Sequence, residues 1–453
     1  MKEKNIFKRK IYNKILEWKE SPVHNSALLI EGARRIGKST IVEEFAKNEF
    51  PNNYIIVDFR KEPEELKNLF NDVRNLDSFF QKFFLFKNKV LKEGGLIVFD
   101  EVQFCPKARE AIKDFVSDGR YYFIETGSLI TIMSNTQGIM IPSEERRIDM
   151  YPLDFEEFLW AYENNNAFES FNDFLIHHQN IPQEIHDEYL KKFRTYMLIG
   201  GMPKVLAIFL ETNSFFLADE EKLDILKLYK DDLRKYDQKY KTSCELIFNS
   251  IPQQLAKENK RFVIKSVNDS KYKNISKSLN DLCDFKIVNR VNIVSTLDSP
   301  ISLHIKEDRF KLYFCDTGLL FSMLIKVSKE KMNKVYADFI NGKKVLNMGA
   351  IFESISIQQL VLNGLPIYYH KYELLDKEEN KVKTYELDIV TEFDFKVFAI
   401  EIKSSKNYTT SSLSHIKEKY SHLKINKYVF CIKNLKFESD KTTLPIYLIL
   451  NIK

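Results

Sequence analysis

The sequence predicts an α/β fold that begins with a parallel sheet carrying helices on both faces. Short apolar runs typical of buried strands, at residues 27–30, 54–58, 96–99 and 121–125, alternate with stretches of helical periodicity. Such β–α alternation gives parallel sheets with right-handed crossovers. A glycine-rich loop follows the first run and two acids follow the third. Because ligands bind at the carboxyl ends of strands in open α/β sheets, the same observations predict a binding site there.

The loop at residues 32–39, GARRIGKS, fits the phosphate-loop pattern G-x-x-x-x-G-K-[ST] and indicates a P-loop NTPase. Gly32 and Gly37 allow a tight turn in which successive N–H groups face a phosphate. Lys38 is expected to contact the β- and γ-phosphates, and the Ser39 hydroxyl to ligate Mg²⁺. The predicted cofactors are therefore ATP and Mg²⁺. The predicted binding set is Gly32, Ala33, Arg34, Arg35, Ile36, Gly37, Lys38, Ser39 and Thr40, the last at the positive end of a helix.

Two later strand ends are predicted to complete this site. Asp100 and Glu101 follow the apolar run at 96–99. Asp100 would hold Mg²⁺, and Glu101 would polarise the water that attacks the γ-phosphate. The strand at 121–125 leads to Ser128, whose hydroxyl would sense the γ-phosphate; a plain strand-to-helix turn is the alternative there.

Length and composition limit the function classes. The 453 residues predict two to four domains. No stretch approaches the length of a membrane span and the N-terminus is polar, so we predict a cytoplasmic protein without a membrane partner. The five cysteines are scattered, which favours reduced core residues. A net charge of +5 neither requires nor excludes nucleic acid.

Four segments are predicted along the chain. Residues 1–150 form the P-loop domain, which an amphipathic helix opens, and residues 151–242 read as mostly helical. Residues 243–304 combine helices with a strand pair, an order that suggests a winged helix, either for DNA docking or as a rigid spacer. Residues 305–453 form an α/β domain. In that last segment we predict a helix at 350–362 and strands near 366–372, 384–391, 396–403 and 427–433.

Two of these strands carry a second set of charged residues. An alternation of two places Glu386 and Asp388 on one face of their strand. The same alternation places Glu401 and Lys403 on one face of the next strand. If the two strands pair as a hairpin, Asp388, Glu401 and Lys403 can converge.

A converged set would suit metal-assisted phosphodiester hydrolysis. Asp388, Glu401 and the carbonyl of Ile402 offer the hard oxygen ligands that Mg²⁺ or Mn²⁺ prefers. Lys403 would position a nucleophilic water, and Glu353, near the start of the preceding helix, would add a carboxylate. The alternative is an ordinary half-exposed hairpin with alternating charges.

The order of these motifs resembles the prokaryotic ATPases of the AAA-like type that carry a C-terminal DUF4143 domain. Besides the phosphate loop with Arg34 and Arg35 inside it, further blocks carry the resemblance: residues 99–103 (FDEVQ), 126–128 (TGS), 151–158 (YPLDFEEF), 200–203 (GGMP), 313–320 (YFCDTGLL), 386–390 (ELDIV) and 400–403 (IEIK). The resemblance implies an ATPase core, a winged-helix-like connector and a C-terminal domain similar to the PD-(D/E)xK nuclease fold.

One departure from the family pattern concerns arginine. A glycine–arginine pair usually precedes the tyrosine–proline–leucine block, but residues 144–147 read EERR here. Arg146 or Arg147 remains available to stabilise γ-phosphate charge, in cis or from a neighbouring subunit. The alternative is that both are surface arginines paired with Glu144 and Glu145.

Two functions follow from the sequence. In the first, the chain is a nucleotide-regulated enzyme on DNA, with the C-terminal site cutting or gripping it. In the second, it is a nucleotide switch for protein partners, with an inactive nuclease-like domain as the docking surface. The presence of Asp388, Glu401 and Lys403 favours the first, and the near-neutral net charge favours the second. The oligomeric state stays open.

Overall fold

The structure, a computed structural model, describes most of the chain: residues 6–22, 26–128, 130, 143–163, 167–257, 260–264, 272–325, 328–343, 348–376 and 381–452. The chain divides into two compact units. The first comprises residues 1–152, 228–241 and 284–286, and the second comprises residues 153–227, 242–283 and 287–453.

The first unit is built on a five-stranded parallel sheet with the order β2-β3-β4-β1-β5. Its strands are β1 Ala27–Glu31, β2 Tyr54–Asp58, β3 Gly95–Asp100, β4 Tyr121–Thr126 and β5 Glu145–Asp149. Its helices are α1 Ile11–Lys19, α2 Lys38–Glu49, α3 Glu64–Asn68, α4 Leu76–Lys87, α5 Pro106–Glu110 and α6 Ile112–Asp118. The predicted fold class is confirmed, and each of the four predicted strands is present.

A core rich in phenylalanine covers one face of this sheet. The rings of Phe115 and Phe123 stack with centroids 5.1 Å apart, and Phe70 and Phe99 pack edge to face at 5.5 Å. These side chains are buried in one cluster with Leu29 of β1. Burial of such large apolar surfaces fixes the sheet and therefore the positions of its strand ends.

The second unit contains most of the helices. These are α7 Phe155–Glu163, α8 Ala167–Ile176, α9 Gln183–Ile199, α10 Pro203–Thr212, α11 Phe215–Tyr240, α12 Cys244–Leu255, α13 Tyr272–Asp284, α14 Thr317–Leu324, α15 Lys329–Ile340, α16 Met348–Leu362, α17 Ser411–Ser414 and α18 Ile416–Lys419. Residues 228–240 of α11 belong to the first unit. Within the described ranges no single helix is long and apolar enough to cross a membrane, and one sharply bent pair, α9 with α10, meets that test only in combination.

An eight-stranded mixed sheet forms the centre of the second unit, in the order β12-β13-β11-β10-β9-β8-β6-β7. Its strands are β6 Val288–Val294, β7 Ile305–Phe314, β8 Tyr368–Asp376, β9 Lys381–Phe393, β10 Lys396–Lys403, β11 Ile425–Cys431, β12 Lys436–Phe437 and β13 Thr442–Pro445. The predicted C-terminal helix and strands are all present. The predicted strand pair of residues 243–304 differs: β6 pairs with β7 and also with β8, so the boundary at residue 304 falls inside one sheet.

Two of the sequence blocks, 200–203 and 313–320, meet in a buried junction of this unit. The Asp316 carboxylate caps α14 by accepting the Leu319 N–H at 3.0 Å, and it accepts the Gly201 N–H at 2.6 Å. A Cβ on Gly200 would lie 2.3 Å from Asp316 Oδ1, and a Cβ on Gly318 would lie 2.5 Å from the carbonyl oxygen of Ile199. Glycine is therefore required at positions 200 and 318, because a neighbouring atom lies too close to each for a side chain to fit.

Candidate nucleotide-binding site

The phosphate loop connects β1 to α2 in a conformation that its glycines permit. Gly37 has φ 96° and stands immediately before α2, and Arg35 is also left-handed with φ 67°. A Cβ on Gly32 would lie 2.3 Å from the carbonyl oxygen of Met150, so only glycine fits there. The loop thus opens onto the N-terminal end of a 12-residue helix, where N–H groups favour an anion.

The Lys38 ammonium is folded back onto its own loop. Its Nζ donates to the carbonyl oxygens of Gly32 at 3.0 Å and Ala33 at 2.7 Å. Burial lowers the pKa of Lys38 to about 8, although the carboxylates of Glu101 and Asp100 act in the opposite direction. The loop therefore holds a desolvated cation that a phosphate would stabilise.

The predicted magnesium residues lie side by side. Ser39 Oγ donates to Asp100 Oδ1 at 2.8 Å, and the Thr126 hydroxyl donates to the same carboxylate oxygen. β4 lies between β1 and β3 in the sheet, which explains why Thr126 reaches Asp100. A hydroxyl and a carboxylate next to a phosphate loop form a hard oxygen donor set, so the residues present fit Mg²⁺. The sequence motifs assigned no role to Thr126, which the structure places in contact with Asp100.

Glu101 is held in an uncommon backbone conformation directly after β3. It has φ 56° and ψ 49°, a left-handed geometry that costs energy for a residue with a Cβ. The Gln103 side chain donates to its carboxylate, and Arg60 Nη1 lies 3.9 Å from it. Its side chain is 22% exposed. The carboxyl group is thus oriented by its neighbours and accessible to a water.

Three residues distant in sequence support the loop from behind. Arg9 donates to the carbonyl oxygen of Ile36 at 3.0 Å. The Tyr229 hydroxyl donates to the carbonyl oxygen of Arg34 at 2.8 Å, and Asp232 forms an ion pair with the Arg34 guanidinium at 2.9 Å. No sequence signal identifies these contacts, because they join residues up to 198 positions apart.

Ser128 and the two arginines occupy less direct positions. Ser128 is buried two residues after β4. Arg146 and Arg147 lie on β5 and pair with Leu28 and Leu29, three or four residues before the loop begins. Arg147 Nη1 also lies 3.9 Å from Glu31, the residue directly before Gly32.

Buried acids explain the position of Arg147. Its Nε donates to Glu145 at 2.8 Å, as the surface-pair alternative anticipated, and Glu145 also forms a bidentate pair with the buried Arg109 at 3.0 and 3.1 Å. Glu125 is fully buried beside them, and burial and the nearby Glu145 raise its pKa well above the usual range. β5 was not predicted because its sequence, ERRID, has a charged rather than an apolar pattern.

The C-terminal residues form the expected hairpin, but the predicted convergence is wrong. Leu387 and Ala399 share one buried cluster, and Glu401 follows Ala399 by two residues, so it points to the same face. There the Glu401 carboxylate accepts the Leu413 N–H at 3.1 Å. Asp388 is adjacent to Leu387 and therefore points away from that face, and its carboxylate accepts the Ile402 N–H at 2.8 Å.

A β-bulge is the physical reason. Tyr368 and His370, two residues apart on β8, oppose Val390 and Leu387, three residues apart on β9. The extra residue on β9 puts Leu387 and Val390 on the same face and breaks the simple alternation. Across the described ranges, no three His, Cys, Asp or Glu side chains are grouped so that they could hold a metal ion.

Glu353 and Asp388 lie instead in a network with lysines. Lys311 Nζ is 2.8 Å from Glu353 and 2.8 Å from Glu386, and it is 2% exposed. Lys260 and the Tyr313 hydroxyl also contact Glu353. Burial and the neighbouring Glu353 raise the pKa of Asp388 to about 6. On the other face, Lys403 pairs with Glu401 at 2.7 Å. Lysine ammonium groups thus occupy the surroundings of the predicted metal ligands.

Comparison with known families identifies three matching regions. Residues 24–159 match the model described as an AAA domain, residues 190–331 match a domain of unknown function (DUF8612), and residues 348–449 match another (DUF4143). The chain therefore combines an N-terminal AAA domain with a C-terminal DUF4143 domain, as the resemblance implied. The AAA match supports an ATPase-like, nucleotide-binding function.

Two solved structures show distant similarity. A chain of Drosophila ORC bound to DNA is 12% identical, with 66% of this chain and 90% of that chain covered and a TM-score of 0.25. A protein from Vibrio cholerae is 10% identical, with coverage of 94% and 95% and a TM-score of 0.18. A search of the curated proteins gives no match.

Proposed function

Because an AAA domain precedes a DUF4143 domain in this chain, we propose that it is an ATP-binding, Mg²⁺-dependent ATPase whose nucleotide state controls its C-terminal domain. One observation carries the proposal: Ser39 contacts Asp100 at 2.8 Å beside a loop that already holds the partly buried Lys38 ammonium. These are the groups that would meet the metal and the phosphates.

Each residue has a defined task in this proposal. The loop N–H groups and Lys38 hold the phosphates, and Ser39 and Asp100 hold Mg²⁺, which neutralises charge on the phosphate oxygens when bound. Glu101 orients the attacking water and accepts its proton. Ser128 stays the proposed γ-phosphate sensor, and Arg146 or Arg147 would stabilise γ-phosphate charge in cis or from a neighbouring subunit.

Helix α11 offers a covalent route for control. Its residues 228–240 include Tyr229 and Asp232, which contact Arg34 of the phosphate loop, and its earlier residues belong to the second unit. A change in the loop on nucleotide binding would therefore act on this helix directly.

The ATPase proposal is tested by Lys38→Ala. We expect ATP turnover to disappear because the phosphates lose their partly buried cation. The matched control is Lys47→Ala on the same helix, since Lys47 is exposed and forms an ion pair with Glu43 at 2.8 Å. Unchanged turnover in Lys38→Ala, with the control also unchanged, would refute the site.

For the C-terminal domain, the structure favours the second function, a docking surface that does not cleave. Asp388 and Glu401 point to different faces, and Lys311 binds Glu353 where a cation would otherwise sit. A buried lysine that satisfies two carboxylates competes with metal binding at the same oxygens. A protein partner rather than DNA would then receive the nucleotide signal.

Plasmid nicking with Mn²⁺ separates the two functions. We expect no nicking by the wild-type chain or by Lys403→Ala, together with no binding of the intact closed plasmid at low salt. Nicking by the wild type that Lys403→Ala abolishes would restore the first function.

The five free cysteines support the proposed reducing, cytoplasmic location.

A further inference from the structure

A large cavity lies in the second unit, and its lining includes none of the residues assigned so far, although Lys403 directly precedes the lining residue Ser404. Its volume is about 1300 Å³, which exceeds the roughly 300–1,000 Å³ typical of small-molecule sites. One wall is formed by Ser404, Ser405 and Lys406, which follow β10, and another by residues 432–434, which follow β11. β10 and β11 are parallel and end in register, with Lys403 opposite Cys431. The cavity therefore lies at the carboxyl edge of two parallel strands, where α/β sheets bind ligands.

The cavity contains a buried guanidinium, whose pKa burial lowers and the lining carboxylate of Asp187 raises. Arg194 of α9 lines the cavity and is 9% exposed. Its Nη1 donates to the carbonyl oxygen of Ile340 at 3.2 Å, and its buried Nε has no partner among the described residues. No carboxylate in the described part of the chain forms an ion pair with it. Burying a charge without such a partner is costly, so the site is built for an anion that arrives from outside.

The remaining charges of the lining agree with an anionic ligand. Lys406 and Lys433 add two exposed cations at the strand ends, and the lining residue Asp187 is engaged by the Gln183 amide at 3.0 Å. His186 is neutral, because burial lowers its pKa and its ring nitrogens contact the Tyr447 hydroxyl and the carbonyl oxygen of Ile432. The lining thus carries three basic side chains and one acidic one, and the Lys433 ammonium lies over the Tyr408 ring at 4.6 Å.

Arginine with two lysines is the pattern that recognises phosphate, since the guanidinium fork matches two phosphate oxygens. The volume leaves room for a group larger than phosphate itself. We propose that this cavity binds a phosphate monoester of nucleotide size, with Arg194 as the buried anchor and Lys406 and Lys433 as the outer contacts. The ligand is either a free mononucleotide or the phosphorylated end of a nucleic-acid strand.

The test uses the full-length chain with Lys38→Ala, which silences the phosphate loop and makes the result independent of the ATPase proposal. Calorimetric titrations use three probes: AMP, a 5′-phosphorylated deoxythymidine hexamer and the same hexamer without the phosphate. We expect AMP or the phosphorylated hexamer to bind and the unphosphorylated hexamer not to bind. Which of the two binds identifies the source of the phosphate.

Two variants in that background locate the site. Arg194→Gln, and separately the double variant Lys406→Gln with Lys433→Gln, should each weaken binding at least about tenfold. The double variant changes only exposed side chains and so guards against a folding defect. Lys424→Gln is the control, because this exposed lysine lies before β11, at its opposite end. Absence of binding by both phosphorylated probes, equal binding of the unphosphorylated hexamer, or unchanged binding in both variants would overturn the proposal.

Discussion

The two charged sites that the sequence indicated differ in how their charges are satisfied. In the first unit, Lys38 donates to two loop carbonyls and forms no ion pair with a described residue, and the Ser39–Asp100 pair stands beside it. In the second unit, Glu353 and Glu386 already have a lysine between them at 2.8 Å each. The comparison teaches that a motif becomes a site only when its charges remain available to a ligand.

The difference originates in how each set is encoded. The phosphate loop is one contiguous segment, so its spacing determines its geometry almost directly. Asp388 and Glu401 come from two strands, and their relative direction depends on the register of a third strand, β8. A one-residue bulge is enough to separate them.

The largest effect is expected for Glu101→Gln. Loss of the proposed base should reduce ATP turnover about a thousandfold while ATP affinity is retained. Single-turnover kinetics and equilibrium titration measure the two quantities separately. Glu110→Gln, which removes a surface partner of Lys107, is the control. A loss of turnover below tenfold would remove Glu101 from the mechanism.

Next in size is Lys311→Met. Removing this buried ammonium leaves Glu386 and Glu353 undercompensated, and we expect the free energy of unfolding of the second unit to fall by about 3 kcal/mol. Urea unfolding of a Trp18→Phe background reports on the second unit through Trp160. Lys371→Met, at a partly exposed pair with Glu386, should cost less than about 1 kcal/mol. If both variants lost the same small amount of unfolding free energy, the contacts of Lys311 with Glu353 and Glu386 would not stabilise the fold.

The third prediction concerns pH. Since the pKa of Lys38 is about 8 in the free protein, the ammonium is present below that pH and is lost above it, whereas bound phosphates would keep it charged. The dissociation constant for ATP should therefore be flat below pH 7 and rise up to about tenfold per pH unit above pH 8. Lys38→Met should bind weakly at every pH. A wild-type affinity that does not change between pH 7 and 9.5 would contradict this reasoning.

The smallest effect is expected for Asp232→Asn. Removing this negative charge frees Arg34 and reduces repulsion of the phosphates, so ATP should bind about threefold more tightly. The neighbouring Asp231→Asn, which affects an exposed pair with Arg234, is the control. Weaker ATP binding in Asp232→Asn would show that the helix contact shapes the loop for nucleotide.

Much of the fold follows from local patterns. Apolar runs identified β1 to β4, and alternation identified β8 to β11. The sequence did not predict β5, because its buried Glu145 pairs with Arg109 and the strand lacks an apolar pattern. The sequence also did not predict the site contacts of Arg9, Thr126 and Asp232. These contacts depend on the tertiary arrangement, which no motif spacing encodes.

The glycine–aspartate junction has a consequence for recognising relatives. Gly200, Gly318 and Asp316 read in the sequence like a functional signature, but they form a mechanical joint in which backbones touch. Such a joint must persist in any descendant that keeps the architecture, whether or not its catalytic groups survive. These blocks therefore trace ancestry, and the groups around Lys38 and Asp100 have to be inspected separately to infer chemistry.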